Sequence, residues 1–536
     1  MNVLLDKLGS LNVDKILLQD REAVTKISVA SAVTIYCLYC ITHSLSKKLK
    51  RKIPEGLQEI PSPPGALPYF GHYFKMNRRI PSLHMDEWHK KYGPILRVTM
   101  GSHDWIIIGN QYVATDILKG KNGAATSGRP YHFFMNQFFS LNSRGTTFTN
   151  PDKRWKKNRA ILHMLLGPKA VKNKVDVIEK EATHLADLLT CNTAKNGYVN
   201  IIKYMQFAPL NVIMHSCFGI TGKSLDDPVF KAMIDNVDRT IWWAAPRENV
   251  HSFLPGLSSF MEIFTGTKKK MRDFTYKERN PLFRRLIQEA REHNGPCFVK
   301  ELYKIKEEEN TLDDDDILVF MANMVNAGTD MTALTLSWAF VILSHRKDLQ
   351  KIIQEEIDSF VATHGRLPTY DERENLPHMI SIQKECMRYR STNHFTLAHE
   401  STADIEYNGY FIPKGTTILA NTYQINRNTK FYKNPEEFDP DRYMNDLTPF
   451  SVSVNAGIEK RDQFVFGWGR RSCPGVHLAD VEMFYAWTRI FAISTIEPPL
   501  NEAPSYPDVG AYRDLGLVVG PRDEKLRFVE RSNSLI

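Results

Sequence analysis

One large globular domain behind a single amino-terminal membrane helix is the architecture this sequence predicts, and three observations predict it. The 536 residues are 42% hydrophobic and 24% charged, enough to bury a large core, which excludes a disordered or fibrous chain. No Gly/Ser-rich linker or internal repeat divides the chain after residue 66, so its length does not imply several domains. The run from Ile27 to Leu45 carries no acidic or strongly basic side chain, and at about 1.5 Å rise per residue it reaches roughly 28 Å, close to a bilayer core. The net charge of +8 is mild and dispersed, which argues against nucleic-acid binding. Seven cysteines, odd in number and widely scattered, argue against a disulfide framework and for a reducing compartment around the folded part.

Taken in order, residues 1–26 read as a lumenal tail, because Lys7, Lys15, Arg21 and Lys26 are matched by Asp6, Asp14, Asp20 and Glu22 instead of forming the short basic start of a signal peptide. Residues 27–46 read as the anchor. Cys37 and Cys40 within it form a CxxC that an apolar setting makes lipid-facing filler, not a redox pair. Lys47-Lys48-Leu49-Lys50-Arg51-Lys52 is a stop-transfer signal that places the body in the cytosol. Ile60-Pro61-Ser62-Pro63-Pro64-Gly65 and Pro68 cannot continue a helix, so 47–65 reads as a basic, proline-rich hinge and stiff spacer. A Pro-rich ligand for another domain is the rival reading. Residues 66–536 read as the one large folded domain, in which the candidate catalytic motifs lie.

Within it, Asp313 to Asp316 suits the N-terminus of a long helix from about Asp314 to Ser344, and no Gly or bidentate Glu follows at the spacing of a calcium loop. Inside that helix Ala327-Gly328-Thr329-Asp330-Met331-Thr332 puts an acid and an alcohol two residues apart among apolar neighbours, where polar groups need specific partners. Taken alone, Thr332 reads as an ordinary helix residue bonded back to its own turn. Glu385 and Arg388, three apart, share a helix face and pair. In Phe466-Gly467-Trp468-Gly469-Arg470-Arg471-Ser472-Cys473-Pro474-Gly475, glycines allow close backbone approach around one cysteine directly before a helical pattern from Val476 to Ile493. A sulfur at a helix start is stabilised as the thiolate that a metal ligand must be.

The full spacing FxxGxRxCxG, carried by Phe466, Gly469, Arg471, Cys473 and Gly475, strongly resembles the haem-binding loop of the cytochrome P-450 superfamily. The resemblance implies Cys473 as axial ligand to the iron of haem b and Arg471 at a propionate. It implies a proton-delivery pair, Asp330 and Thr332, from the similarity to the AGxDT/ET motif. It implies a buried triad of Glu385, Arg388 and Arg442, the last from Phe438-Asp439-Pro440-Asp441-Arg442, and propionate contacts from Trp155 and Arg159 in a WxxxR pattern. Five motifs stand in family order, most like eukaryotic microsomal and filamentous-fungal members. Two features depart: Arg388-Tyr389-Arg390-Ser391-Thr392 lacks the proline common there, and His399-Glu400 stands where many members have His-Arg, leaving His399 as the propionate contact on that side.

The implied fold is mainly α with small β-sheets toward the N-terminal side, and the implied reaction is monooxygenation of a lipophilic, ring-containing molecule such as a steroid or terpenoid. The chain shows no flavin or nicotinamide fingerprint, so electrons must come from another protein; the resemblance implies NADPH-cytochrome P-450 reductase, with cytochrome b5 as a second donor, at the endoplasmic reticulum membrane. Arg154, Lys156, Lys157, Lys460, Arg461 and Arg470 read as its docking face. Tyr131 to Phe139 and Trp242-Trp243 read as core packing or as the wall of an apolar pocket. A haem-thiolate isomerase or dehydratase and a non-enzymatic haem or lipid binder are the rival functions, disfavoured by the acid and alcohol together.

Overall fold

The computed structural model describes residues 53–76, 80–499, 511–522 and 525–532, together with scattered helical positions between 28 and 46. The expected tail at 1–26, most of the anchor at 27–46 and the basic run at 47–52 lie outside the described residues.

The fold is mainly helical. Ten helices frame the site: α1 (Gln111–Leu118), α2 (Lys153–Leu166), α3 (Val175–Asn196), α4 (Phe207–Phe218), α5 (Pro228–Trp243), α6 (Pro255–Thr265), α7 (Asp314–Ser344), α8 (Lys347–His364), α9 (Pro377–Tyr389) and α10 (Val476–Ile493). Helix α7 runs through the core, packed by α4, α5, α9 and α10. Its start is the acidic run: the Asp313 carboxylate accepts from the Asp316 N–H at 2.8 Å, and the Asp316 carboxylate accepts from the Asp313 N–H at 3.0 Å, a reciprocal cap. Arg144 and Arg154 then close over Asp316, whose side chain is buried. Among the described residues α7 alone is long and apolar enough to cross a membrane, and it is a buried core helix.

Among the described residues eleven short strands complete the fold. β1 (Ile95–Met100) and β2 (His103–Ile108) pair antiparallel. They are joined by two strands from far along the chain, β4 (His399–Glu400) and β7 (Thr417–Ala420), in the order β1-β2-β7-β4 with β2 and β7 parallel. β3 (Val199–Asn200), β8 (Ser494–Glu497) and β11 (Lys525–Glu530) form a second sheet, and the pairs β5 (Ile405–Tyr407) with β6 (Tyr410–Ile412) and β9 (Tyr512–Asp514) with β10 (Val519–Pro521) form two hairpins. The sheets are small, but β4 to β11 all lie beyond residue 398, so the strands do not gather in the N-terminal part.

The proline-rich stretch is not a free spacer. Ile60 is 2% exposed in the cluster that includes Ile106, Ile412 and Ile418. The Pro61 carbonyl accepts from the Arg97 N–H at 2.8 Å, and the Pro63 carbonyl meets the His72 ring at 2.9 Å. Proline carbonyls remain good acceptors although the ring nitrogen donates nothing. The packed domain therefore begins before residue 66.

Candidate active site

Cys473 lies on the turn between a short 3₁₀ segment, Gly469–Arg471, and the first turn of α10. Its N–H donates to the Phe466 carbonyl at 2.8 Å, which fixes the loop, and Phe466 packs on Phe450. Gly469 is required by geometry: its φ is +56°, and a Cβ there would stand 2.7 Å from the Leu118 carbonyl of α1. Gly475 caps α10, and a Cβ there would touch the Cys473 sulfur at 3.9 Å. Burial pushes the Cys473 thiol up, while the Gly475 N–H and the Arg159 guanidinium pull it down. A metal ion at the sulfur would overturn that balance in favour of the thiolate.

Three guanidiniums converge beside this loop, and all are held by backbone carbonyls. Arg471 donates to Ser127, Thr146 and Thr149 at 2.8, 2.9 and 2.6 Å. Arg159 donates to the Ser472 carbonyl and keeps a buried Nε with no partner. Arg129, which the sequence reading missed, donates to Thr147, Leu397 and Ala398 at 3.0, 2.9 and 2.6 Å. Burial lowers the pKa of each, and Arg129 is lowered further by Arg471 and Arg159. Among the described residues none of the three pairs with a carboxylate. Three like charges, two buried and one half-buried, without a counter-ion are unfavourable unless a multivalent anion belongs there. The one sequence signal for Arg129 was Ser127-Gly128-Arg129-Pro130, where the proline favours extended backbone; Gly128 pairs with Glu400 as an isolated bridge.

Two expected propionate contacts do not fit that role. The Trp155 indole N–H is taken by the Thr146 carbonyl at 3.0 Å and its ring underlies Arg471 at 4.5 Å, so Trp155 positions an arginine. The His399 Nδ1 donates to the Thr126 carbonyl at 2.8 Å, and burial with Arg129 and Arg471 nearby depresses its pKa to about 3. A neutral ring with Nδ1–H committed presents only a lone pair at Nε2. Arg129 supplies the positive charge beside Glu400 instead.

On α7 one face is open. Ala327 is exposed in mid-helix, and Asn323, Gly328, Met331 and Thr335 are half-buried, while nearly every other position from 316 to 344 is buried. A Cβ at Gly145 would stand 3.2 Å from the Asn323 side chain, and the next residue, Thr146, accepts from Arg471 and Trp155. One loop thus links the open face of α7 to the arginines beside Cys473.

The structure does not bring Asp330 and Thr332 together. Asp330 is buried, accepts from the Gln206 amide at 2.9 Å, and has its carboxyl pushed up to about 7 by burial, aided by Asp238. Thr332 faces the opposite flank and donates to Glu482 of α10 at 3.2 Å. The reason is register. In an AGxDT pattern the alcohol directly follows the acid, and that position is Met331. One residue is about 100° of helix rotation, so the side chain on the open face is a thioether.

Glu385, Arg388 and Arg442 do meet. Arg388 clasps Glu385 with two bonds of 2.7 Å, and Arg442 Nε donates to the same carboxylate at 3.0 Å. The expected docking face is thinner than its six cations suggest. Arg154 is bound to Asp316, Lys157 to Glu309 and Thr311, and Arg461 is buried against the Gln463 and Gly467 carbonyls, which leaves Lys156, Lys460 and Arg470 exposed.

A half-buried thiol at a helix start, beside a cluster of arginines that lack counter-ions and joined by one loop to the open face of an apolar helix, suits an anionic iron porphyrin with a thiolate ligand. The cytochrome P450 family model matches residues 61–517, and the chain belongs to that family. It is 28% identical over 452 residues to a cytochrome P450 monooxygenase, verL, of Clonostachys rogersoniana, covering 82% of this chain and 80% of the relative. It is 25% identical to a steroid 17-alpha-hydroxylase/17,20 lyase of Ictalurus punctatus, covering 88% and 90%. A solved zebra fish cytochrome P450 with progesterone shares the fold at TM-score 0.68 and 23% identity, covering 84% of this chain and all of that one. Relatives are named monooxygenases, which are oxidoreductases, and family membership implies a haem cofactor, a redox-partner reductase and lipophilic substrates.

Proposed function

We propose that this protein is a membrane-anchored monooxygenase that uses haem b to hydroxylate a lipophilic small molecule of steroid, terpenoid or other secondary-metabolite type. One observation carries the reading: the Cys473 loop, with three arginines that lack a carboxylate partner, is joined through the loop at Gly145 and Thr146 to the open face of α7. Cys473 would ligate the iron, and Arg129, Arg159 and Arg471 would neutralise the propionates. The bound cofactor supplies the oxygen chemistry. The chain's own residues bind and orient. The face of Ala327 and Met331 offers substrate an apolar wall, and Asp330, held by Gln206, keeps a proton available near neutral pH. Electrons come from an NADPH-cytochrome P-450 reductase, with cytochrome b5 as a second donor, docking on Lys156, Lys460 and Arg470. The tail is lumenal, residues 27–46 cross the endoplasmic reticulum membrane once, and the domain is cytosolic.

The test is turnover of a lipophilic panel that includes progesterone, read by mass spectrometry with reductase and NADPH. Hydroxylated product that requires NADPH is the expected result. Product formed without reductase would favour a haem-thiolate isomerase or dehydratase, a reading to which Met331 at the alcohol position lends weight.

A further inference from the structure

The loop whose Thr146 and Thr149 carbonyls hold Arg471 begins at a surface cavity of about 260 Å³. Its walls are Leu141 and Arg144 of that loop, Tyr276, Asn280 and Arg284 across from them, and Asp315 at the start of α7. At about 30 Å³ per molecule it would hold roughly eight waters, which is room for a small organic molecule. The back wall is built from buried polar groups. Arg279 is 1% exposed, and its Nη1 donates to the Phe139 carbonyl at 2.7 Å. Its Nε and Nη2 both donate to Asn280 Oδ1, at 2.9 and 2.6 Å. Two donors at one end of the amide fix that end as oxygen and turn the NH2 away from the guanidinium. Asn280 is 5% exposed and lines the cavity, so a rigidly held amide NH2 is the polar group it has left to present there.

Charges around the cavity balance except at Arg279. Arg144 is held by Asp313 and Asp316, Arg154 by the same Asp316, and Arg284 by Asp315 at 2.6 Å. Among the described residues no carboxylate pairs with Arg279. Burial lowers its pKa to about 9, offset in part by the Tyr276 phenol, so it is a cation at neutral pH. A buried guanidinium without a counter-ion is unfavourable, and it polarises the Asn280 amide, which strengthens the N–H groups as donors to an anion. The backbone on both sides is uncommon as well. Arg279 closes a wide π-helical segment, Phe274–Arg279, and Leu141, Asn142 and Ser143 are three successive left-handed residues with φ of +42°, +65° and +64°. Such backbone is costly and gathers at binding sites.

We propose that this cavity is a binding site for a small organic carboxylate with an apolar body. Asn280 Nδ2 and the Tyr276 hydroxyl donate to the carboxylate, and Leu141 and Pro281 meet the body. A singly charged anion matches the one surplus cation, whereas a phosphate dianion would bring a second negative charge beside Asp315 with nothing to meet it. None of the lining residues belongs to the Cys473 loop, and the site does not depend on the monooxygenase reading. By joining the helix Asn280–Glu292 to residues 141–144, the ligand would also steady the chain that continues to Gly145, Thr146 and Thr149.

Calorimetric titration of the full-length holoprotein with benzoate, octanoate and inorganic phosphate tests it. The two carboxylates should bind and phosphate should bind more weakly. Asn280→Asp keeps the acceptor for Arg279 and gives that cation a counter-ion, so this variant should melt at a higher temperature yet bind carboxylate at least about 10-fold more weakly. Tyr276→Phe should weaken binding by about 3- to 10-fold, the worth of one hydrogen bond. Pro281→Trp, made at an exposed position, should fill the cavity and abolish binding with the fold intact. Amide hydrogen exchange across residues 141–149 should slow when benzoate is added to the unaltered protein and stay unchanged in Asn280→Asp. Absence of carboxylate binding at millimolar concentration overturns the proposal. So does equal affinity in the unaltered protein, Asn280→Asp and Pro281→Trp, which would put the anion elsewhere, and phosphate binding tighter than either carboxylate overturns the ligand class.

Discussion

Arg129 was not marked by any motif, yet it is the cation whose loss should be felt first at the cofactor. Its three carbonyl partners hold the guanidinium rigidly, so the desolvation is already met in the fold and a bound anion recovers it. Arg129→Leu should weaken haem retention by about 10- to 10²-fold, the equivalent of one charged hydrogen bond; haem transfer to an apoprotein acceptor measures it. Trp155→Phe should lose only about 1 kcal/mol of stability, since its hydrogen bond is internal. Cys473→Ala should abolish the red-shifted Soret band of the reduced CO complex, and survival of that band would remove Cys473 as ligand. Asp330 gives a pH prediction. Its folded carboxyl value is raised from 3.8 to about 7, so the protonated form is favoured by folding and stability declines as pH rises across that interval. At about 1.4 kcal/mol per unit the penalty is on the order of 4 kcal/mol. Asp330→Asn should therefore gain melting temperature relative to the unaltered protein at pH above 7 and show little difference below 4.

At the scale of elements, the motifs that were legible are those whose chemistry is local. The acidic run at Asp313 to Asp316 marks the start of α7 because capping depends only on the first turn. The Glu385–Arg388 pair needs only a three-residue helical spacing. The cysteine loop needs glycines at fixed offsets. What the sequence reading lost was rotation and partnership. Asp330 and Thr332 look adjacent in a line of letters but diverge around a helix to Gln206 and Glu482, residues more than a hundred positions away. Arg129 and Glu482 had no local pattern at all, because each acquires its meaning from another element: the arginines beside Cys473, and a hydroxyl across a helix interface. The same distinction predicts the behaviour of the Glu385 cluster. Glu385→Leu leaves two guanidiniums with only backbone carbonyls and without the carboxylate they share, one of them fully buried. That should cost about 3–5 kcal/mol and be visible as a fall in melting temperature together with loss of haem incorporation.

For the whole molecule, the point at which the packed domain begins sets where the chain can be cut. A membrane helix at 27–46 followed by a hinge to 65 implies that everything before residue 66 is dispensable for folding. The packing places the boundary earlier. Ile60 is buried with Ile106 and Ile418, the Gln58 N–H donates to the Gly409 carbonyl at 2.8 Å, and the Gln58 carbonyl accepts from the Phe411 N–H at 3.0 Å. Together with the Pro61 and Pro63 carbonyls these contacts seat residues 58–63 against β1 and the β5-β6 hairpin. Removing a buried isoleucine costs about 2–5 kcal/mol, and each lost backbone bond adds about 1 kcal/mol, which is comparable with the whole stability of many domains. Deletion of residues 1–52 should weaken membrane attachment to a peripheral, salt- or wash-extractable association and leave haem incorporation and melting temperature intact. Deletion of residues 1–65 should sharply lower both. Some membrane association should persist in the shorter deletion, because Ile263 and Phe264 of α6 are each 76% exposed and Leu67 and Phe74 are exposed as well. Tyr36 lies edge-on to Tyr69 and against Gly256 of α6, so these groups border the segment that leads to the anchor. Ile263→Glu with Phe264→Glu in the 1–52 deletion should abolish the residual binding to phospholipid vesicles in a flotation assay, since the apolar area would be replaced by charge. Equal stability of the two deletions would show that residues 53–65 are a spacer after all.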